Sequence, residues 1–222
     1  MAKNLIIFGV GEIAELAHYY FLHDSDFDRI AAFSVDGAYI KETTFCGLPV
    51  VPFEEMENLY DPAHFEFFVA LSYSKLNLIR RRKYEEVKSL GYRVPSYISS
   101  KATVLNGGNI GENCFILEDN TIQPFVKIGD NVTLWSGNHI GHHSVIGNHT
   151  FIASHVVISG GVHIGEQCFV GVNATLRDHL KVGHKCVIGA GVLMLEDAED
   201  QGVYMGASSQ RSRVPSSRLR GI

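Results

Sequence analysis

A six-residue repeat constrains this chain more than any other feature. From Val104 to Met194 a large apolar residue returns at every sixth position, sixteen times in succession and with no change of register. Glycine follows it at five positions that are eighteen residues apart, namely Gly111, Gly129, Gly147, Gly165 and Gly183. The larger period is therefore three hexads, which corresponds to one turn of a three-sided coil. Self-similarity at a fixed period predicts a parallel β-helix, in which each coil packs on its neighbours.

The same period predicts which side chains point into the coil. Because side chains alternate along a strand, the residue two positions before each repeated aliphatic faces inward as well. This position holds small or apolar residues, including Cys114, Cys168 and Cys186. The last two are expected on adjacent coils about 4.8 Å apart. That distance leaves a disulfide open, although reduced buried thiols are the favoured interpretation.

The N-terminal third has a different pattern, one of alternating strands and helices. Residues 4–8 are predicted to form a buried strand, and residues 9–14 read GVGEIA ahead of an amphipathic helix. This GxGxxA sequence is typical of nucleotide-binding folds, in which amide groups at the helix N-terminus hold a phosphate or a ribose. The alternative is that the glycines only form a tight turn between strand and helix.

Two more strands and a second helix are predicted in this region. The strands lie at residues 30–35, ending before Asp36, and at residues 67–71, leading into Ser72. The helix lies at about residues 75–90, and its solvated face is expected to carry Arg80, Arg81 and Arg82. About 95 residues are too few for a full dinucleotide domain with six strands, so a sugar nucleotide fits better than NAD.

Composition excludes several other classes of function. A formal net charge of −5 gives no general basis for nucleic-acid binding. The apolar run near the N-terminus is too short for a signal peptide or a membrane span, and no other stretch approaches about eighteen apolar residues. No CxxC pair occurs, so a zinc-ribbon or thioredoxin site is not predicted. A cytoplasmic protein without a membrane span is expected.

Histidines cluster in the middle of the repeat. Five of the eleven in the chain lie within seventeen residues of one another: His139, His142, His143, His149 and His155. The hexad phase turns Ile140 and Ser144 inward, so His142 and His143 must occupy a corner turn. Neutral imidazole is suited to general-base work near pH 7. The density of histidine therefore favours a functional site over chance decoration of the surface.

These features together resemble a known family. The GVG sequence at residues 9–11, Asp36 and the IGHHSVIG sequence at residues 140–147 resemble the bacterial hexapeptide-repeat sugar acyltransferases. The group concerned contains the N-acetyltransferases of nucleotide-linked 4-amino sugars and the sialic-acid O-acetyltransferase-like proteins. The resemblance extends to the GVYMG sequence at residues 202–206. It implies transfer of an acetyl group from acetyl-CoA to an amino group of a nucleotide-linked sugar, with no metal.

The resemblance also implies the architecture of the chain. Residues 1–97 would form an α/β Rossmann-like domain that binds the nucleotide sugar. Residues 98–222 would form an all-β left-handed parallel β-helix with a C-terminal tail. The chain would assemble as a homotrimer and bind acetyl-CoA in grooves between subunits.

Individual roles follow from the same resemblance. His142 would be the general base, and His143 stands where the family usually has an acid. The backbone N–H of Gly160 would face the thioester carbonyl. The positions lining CoA would be Phe151, Gly160, Val172 and Ala190, and those holding the nucleotide sugar would be Gly11, Glu12, Ile13, Asp36 and Ser72. The group that orients His142 is left open among His143, Asn138 and a backbone carbonyl.

Three alternatives to N-acetyl transfer remain open. The first is a sugar O-acetyltransferase of the same fold. The second is a zinc enzyme like the γ-class carbonic anhydrases, because His143, His179 and His184 are spaced much as their ligands are, although the hexad phase differs. The third is a non-catalytic trimer that binds a sugar nucleotide. Loss of activity on replacement of His142 would exclude this last one.

Two features of the surface lead to further expectations. Apolar residues on the outside of the coil predict a trimer, because a partner chain would remove them from water. These residues are Leu134, Trp135, Phe151 and Val157. Residues 201–222 contain no acid, and their arginines suit the phosphates of CoA: Arg211, Arg213, Arg218 and Arg220. The alternative for this segment is a disordered basic tail.

Overall fold

The N-terminal domain is a five-stranded sheet flanked by helices. The structure, a computed structural model, describes residues 4–218. The sheet has the order β3-β4-β2-β1-β5, and its strands are parallel except for the β3–β4 hairpin. The strands are β1 (Asn4–Phe8), β2 (Arg29–Val35), β3 (Thr44–Phe45), β4 (Leu48–Pro52) and β5 (Phe65–Val69), and the helices are α1 (Glu12–His23), α2 (Met56–Leu59) and α3 (Leu78–Ser89).

The predicted N-terminal elements are confirmed, with shifted boundaries. The strand predicted at 67–71 begins two residues earlier, and the helix predicted from about residue 75 begins at Leu78. It begins late because Lys75, Leu76 and Asn77 all have positive φ angles, which a right-handed helix does not accommodate. The hairpin and α2 were not predicted.

The rest of the chain winds into a coil with three flat faces. The first face contains β6 (Tyr97–Ile98), β8 (Phe115–Ile116), β11 (Thr133–Leu134), β14 (Phe151–Ile152), β17 (Phe169–Val170), β20 (Val187–Ile188) and β22 (Val203–Tyr204). The second contains β7 (Thr103–Val104), β9 (Thr121–Ile122), β12 (His139–Ile140), β15 (Val157–Ile158), β18 (Thr175–Leu176) and β21 (Leu193–Met194). The third contains β10 (Lys127–Ile128), β13 (Val145–Ile146), β16 (His163–Ile164) and β19 (Lys181–Val182).

Strands of one face pair in parallel with partners eighteen residues away, as between Ile140 and Ile158, except that the last pair of the first face, Val187 and Val203, is sixteen residues apart. This is the left-handed parallel β-helix that was expected. The repeated aliphatics fill its interior and are buried from Ile116 to Met194. Cys168 and Cys186 are free thiols inside it, and the Cys186 N–H donates to Cys168 Sγ at 3.4 Å. The disulfide that the spacing left open is therefore not formed.

The turns between faces form three corners. Corner 1–2 joins the first face to the second, and includes residues 135–138, 153–156, 171–174 and 189–192. Corner 2–3 includes residues 123–126, 141–144, 159–162 and 177–180. Corner 3–1 includes residues 129–132, 147–150, 165–168 and 183–186.

The outer sides of the three faces differ. Most of the first face is covered by the N-terminal domain, whose Tyr73 ring lies 5.0 Å from that of Phe151, whereas Val203 on the last strand is exposed. The third face carries exposed polar side chains, those of Lys127, His163 and Lys181. The second face leaves Val157 and Leu193 exposed. No helix among residues 4–218 combines the length and the hydropathy needed to cross a membrane.

Most of the apolar residues that were expected to need a partner chain are buried within this chain. Leu134 points into the coil and is fully buried, and Phe151 is 3% exposed beneath the N-terminal domain of its own chain. Trp135 also packs on that domain. Of the four residues expected to need a partner chain, Val157 alone remains exposed.

Candidate functional site

His142 and His143 lie side by side on corner 2–3, as the hexad phase predicted. Both are exposed, and their Nδ1 atoms are 3.1 Å apart. His143 adopts a positive φ of 61°, and its ring lies 4.7 Å from that of Phe125 on the preceding coil. The N–H of His142 donates to Gln123 Oε1 at 2.8 Å. Gln123 thus holds the backbone of His142, and His143 contacts one nitrogen of its ring.

Asn138, one of the groups considered for orienting His142, is engaged elsewhere. It is buried in corner 1–2, where Nδ2 donates to the carbonyl of Trp135 at 2.5 Å. Its Oδ1 accepts from the N–H of Val156. His143 is the group that contacts the His142 imidazole in this structure.

Gly160 lies directly under the His142 ring on the next coil. A Cβ atom at Gly160 would be 2.5 Å from His142 Cε1 and 2.7 Å from Nε2, so only glycine accepts the ring in this position. The Gly160 carbonyl accepts a hydrogen bond from the backbone N–H of His179. Within residues 4–218 we find no protein acceptor for the Gly160 N–H. An exposed imidazole and a free backbone donor therefore lie on adjacent coils of one corner.

The residues expected to line CoA fall into two groups. Val172 and Ala190 are exposed on corner 1–2, one coil apart. The second face of the β-helix separates them from His142 and Gly160 on corner 2–3. Phe151 does not belong with either group, because it is buried on the first face and stacks on Phe169 at 5.8 Å. Phe151 therefore contributes to the packing of the two domains and does not line a CoA site in this structure.

The residues expected to hold a nucleotide sugar share one edge of the N-terminal sheet. The turn after β1 contains Gly11, which caps α1 without a side-chain hydrogen bond and precedes Glu12 and Ile13. Asp36 follows β2, and Ser72 follows β5, the strands on either side of β1. The carboxyl edge of parallel strands is where α/β domains bind ligands.

Gly9 explains how closely these turns approach one another. Its φ angle is 123°, and a Cβ atom there would lie 2.8 Å from the carbonyl oxygen of Ala70. Beside Gly11, an apolar cavity of about 490 Å³ opens between the turn after β1 and the hairpin, lined by Val10, Tyr39, Ile40, Phe45 and Val50 among others. Asp36 is turned toward α3, where Lys83 Nζ lies 2.6 Å from its Oδ1.

A buried arginine joins the two domains, contrary to the expectation that Arg80 lies on a solvated face. Arg80 is 2% exposed, and burial lowers its pKa to about 10. Its guanidinium donates to oxygen atoms of Asn77, Asn131, Thr133 and His149. None of these acceptors is a carboxylate. The sequence signal for this contact was the run of polar residues in and beside corner 3–1, such as Asn131, Thr133 and His149.

His149 belongs to the same interface and not to the exposed histidines. It is 6% exposed on corner 3–1, and its Nδ1 lies 3.0 Å from Asn131 Nδ2. Burial, aided by the positive charges of Arg81 and Arg80, lowers its pKa to about 4.

The alternative zinc ligands do not converge within one chain. His143 and His179 are on corner 2–3, whereas His184 is on corner 3–1 and accepts the N–H of Glu166. Across residues 4–218, no group of three or more histidine, cysteine or acidic side chains is arranged to hold a metal ion. Of the arginines in the C-terminal tail, Arg211, Arg213 and Arg218 are described and Arg220 lies outside the described residues.

Comparison with known families identifies the repeat. The family model described as bacterial transferase hexapeptide (six repeats) matches residues 107–141 and 128–160. The model described as hexapeptide repeat of succinyl-transferase matches residues 161–194. Together these matches cover most of the β-helix and none of the N-terminal domain.

Solved structures share the arrangement of both domains. The acetyltransferase domain of PglB from Neisseria gonorrhoeae, in complex with acetyl coenzyme A, is 22% identical with a TM-score of 0.81, covering 93% of this chain and 97% of that one. PerB from Caulobacter crescentus, in complex with CoA and GDP-perosamine, is 21% identical with a TM-score of 0.79, covering 91% and 94%. WeeI from Acinetobacter baumannii is 19% identical with a TM-score of 0.78, covering 92% and 97%. Residues 107–194 are therefore hexapeptide repeats of the bacterial transferase type, carried in a chain that has the fold of these structures.

Proposed function

We propose that this protein is an acetyltransferase that moves the acetyl group of acetyl-CoA to an amino group of a nucleotide-linked amino sugar. The fold is shared with an acetyltransferase domain bound to acetyl coenzyme A and with a protein bound to CoA and GDP-perosamine. The observation that carries the proposal is the exposed His142 imidazole, which contacts His143 through Nδ1 and lies against Gly160, whose N–H has no protein acceptor among residues 4–218.

The contact between the two imidazoles fits the tautomer of His142 that the reaction needs. When His142 Nδ1–H donates to His143 Nδ1, the lone pair of His142 is on Nε2, and the proton of neutral His143 is on its own Nε2. His143 then does for ring orientation what an acidic neighbour would do, but without a negative charge. The His142 Nε2 lone pair is the one that an incoming amine needs.

The reaction requires one base and one donor. The amine nitrogen attacks the thioester carbonyl carbon and gives its proton to His142 Nε2. Negative charge develops on the carbonyl oxygen, where the Gly160 N–H is the candidate donor. The C–S bond then breaks, leaving the N-acetyl sugar and CoA. The step needs no covalent enzyme intermediate.

A homotrimer would complete the site. Most of the first face of the β-helix is covered within the chain, except near Val203, and the third face is largely polar. The second face, with Val157 and Leu193 exposed, is therefore the side that we assign to other copies. If three copies turn this face toward a common axis, corner 2–3 of each subunit meets corner 1–2 of the next. That contact would bring Val172 and Ala190 of one subunit toward His142 of another, with acetyl-CoA between them.

The nucleotide would bind at the carboxyl edge of the N-terminal sheet. Gly11, Glu12 and Ile13 present backbone amides at the start of α1, which favour an anionic or polar group. The apolar cavity beside Gly11 is of a size to take a flat base. Ser72, after β5, lies on the same edge.

Replacement of His142 tests the proposal. His142→Asn should lower kcat for acetyl transfer to a nucleotide 4-amino sugar by about 10²- to 10⁴-fold, while KM for acetyl-CoA changes a few-fold at most. The matched control is His163→Asn, an exposed histidine of the third face, which should keep the activity of the wild type. A wild-type kcat in His142→Asn, or activity that disappears with a chelator, would refute the assignment.

A further inference from the structure

The dipeptide Gly160–Gly161 lies between two imidazoles that approach it from opposite coils. His142 comes from the coil before and covers Gly160. His179 comes from the coil after, and its Nδ1 lies 2.4 Å from the place that a Cβ atom on Gly161 would take. The two rings therefore cover adjacent Cα atoms, which are 3.8 Å apart in a trans chain. The mechanism proposed above uses the first of these imidazoles and leaves the second without a role.

The orientation of His179 differs from that of a freely rotating surface histidine. Its backbone N–H donates to the Gly160 carbonyl at 2.9 Å, which ties the turn, although not the ring itself, to the glycine pair. Its Nε2 faces Asp178 Oδ2 at 4.0 Å, while Nδ1 faces Gly161. The side chain is 77% exposed, so water and substrates can reach it. One ring nitrogen thus faces a carboxylate and the other faces the glycine pair.

We propose that His179 is a second catalytic residue, which protonates the thiolate of CoA as it leaves. The inference rests on the proposed function. An acetyl carbonyl bound at the Gly160 N–H would have His142 on one side and His179 on the other. The amine adds to the carbonyl carbon next to the base, His142, and the sulfur stays bonded to that carbon in the tetrahedral intermediate. With the amine next to His142, the place left for the sulfur is next to His179.

The proton balance closes with two imidazoles. His142 Nε2 gains the proton of the attacking amine as the C–N bond forms. The His179 imidazolium loses the proton on Nδ1 to sulfur as the C–S bond breaks, which gives neutral N-acetyl sugar and CoA thiol. Both rings are exposed, so exchange with water returns each to its starting state.

The test compares wild type with His179→Ala, assayed by release of CoA thiol from acetyl-CoA with a nucleotide 4-amino sugar. Removal of a general acid should lower kcat by about 10²-fold, with KM for acetyl-CoA within a few-fold and an unchanged melting temperature. Free imidazole added to His179→Ala should restore part of kcat, because the vacated position is open to solvent. A structural role would not respond to added imidazole. The matched control, His163→Ala, should show neither loss nor rescue.

Each other outcome overturns the proposal. A kcat within threefold of wild type, or a loss that imidazole does not rescue, would remove the acid role from His179. A raised KM for acetyl-CoA with unchanged kcat would assign His179 to binding CoA instead. In either case wild-type transfer would still support the proposed function. If the wild type transfers no acetyl group to any nucleotide amino sugar, the proposed function and the role of His179 fall together.

Discussion

In the β-helix each buried aliphatic contacts a similar residue one coil above and one coil below, whereas in the N-terminal domain each buried ring has neighbours of its own. Ile140 pairs with Ile122 and Ile158, and the same relation holds along every face. Phe21, by contrast, packs edge-on against Phe27, Phe68 and Tyr97, which come from a loop, from β5 and from β6. Repetition makes the environment of a β-helix residue calculable from its phase.

The β-helix itself also contains two kinds of position, and the candidate catalytic residues occupy the kind that varies between coils. Inward positions vary little from coil to coil, but the second residue of corner 2–3 changes from Pro124 to His142, Gly160 and Asp178. The residue after it is in turn Phe125, His143, Gly161 and His179. Positions that do not contribute to the core are free to carry function, and the candidate site is built from them.

The largest effect expected is on the stability of the repeat. Ile122 and Ile158 occupy equivalent inward positions on the second face, and both are fully buried. Ile122→Ala and Ile158→Ala should each lower the free energy of unfolding by about 2–5 kcal/mol, and by nearly the same amount. Urea denaturation measures both. Lys181→Ala on the outer side of the polar third face is the control, with a change within about 0.5 kcal/mol. If the two variants lose free energy of unfolding by amounts that differ by several kcal/mol, the two inward positions are not equivalent.

The next effect is on the stability of the contact between the N-terminal domain and the β-helix. Arg80→Leu should lower the free energy of unfolding by about 1–3 kcal/mol, because it leaves buried acceptors on Asn77, Asn131 and Thr133 without their donor. Arg82→Leu is the matched control, since Arg82 is exposed on the same helix. Hydrogen exchange would show whether protection is lost at α3 and corner 3–1 together. An Arg80→Leu variant as stable as wild type would show that the network contributes nothing net.

The two regions also differ in what the sequence could predict. The period of six gave every inward residue of the β-helix and placed His142 and His143 on a corner, because strand alternation and coil length fix both. It could not show that the outward Phe151 is covered, because the covering residue Tyr73 is 78 positions away in a region without a period.

The N-terminal domain was predicted less completely. The GVG turn and the strands at its edges were found because local patterns determine them. The late start of α3 was missed, since Lys75, Leu76 and Asn77 adopt positive φ angles in a loop tied to the β-helix. There Gln167 Nε2 donates to the Leu76 carbonyl, and Asn77 Nδ2 donates to that of Cys168. These partners are 91 residues apart, beyond the reach of any local pattern.

The last effect concerns the pH dependence of stability and separates the buried His149 from the exposed histidines. Its folded-state pKa is lowered to about 4, whereas an unfolded histidine has a pKa of about 6.5. Between these values the unfolded chain binds a proton that the folded chain does not. Stability should therefore fall as pH falls from about 6.5 toward 4, by at most about 1.4 kcal/mol per pH unit from this residue. Above pH 6.5 the residue should contribute no slope.

The slope can be assigned by comparing variants across pH 5–6.5, above the range in which carboxylates titrate. The pKa of His18 is also lowered, mainly by burial, so wild type alone does not isolate His149. His149→Gln should remove up to one proton from the pH dependence of the unfolding free energy, and His163→Gln on the third face should leave it unchanged. If His149→Gln keeps the wild-type slope, the imidazole is not held neutral between the domains. The contact around Arg80 would then admit more water than the burial of these side chains implies.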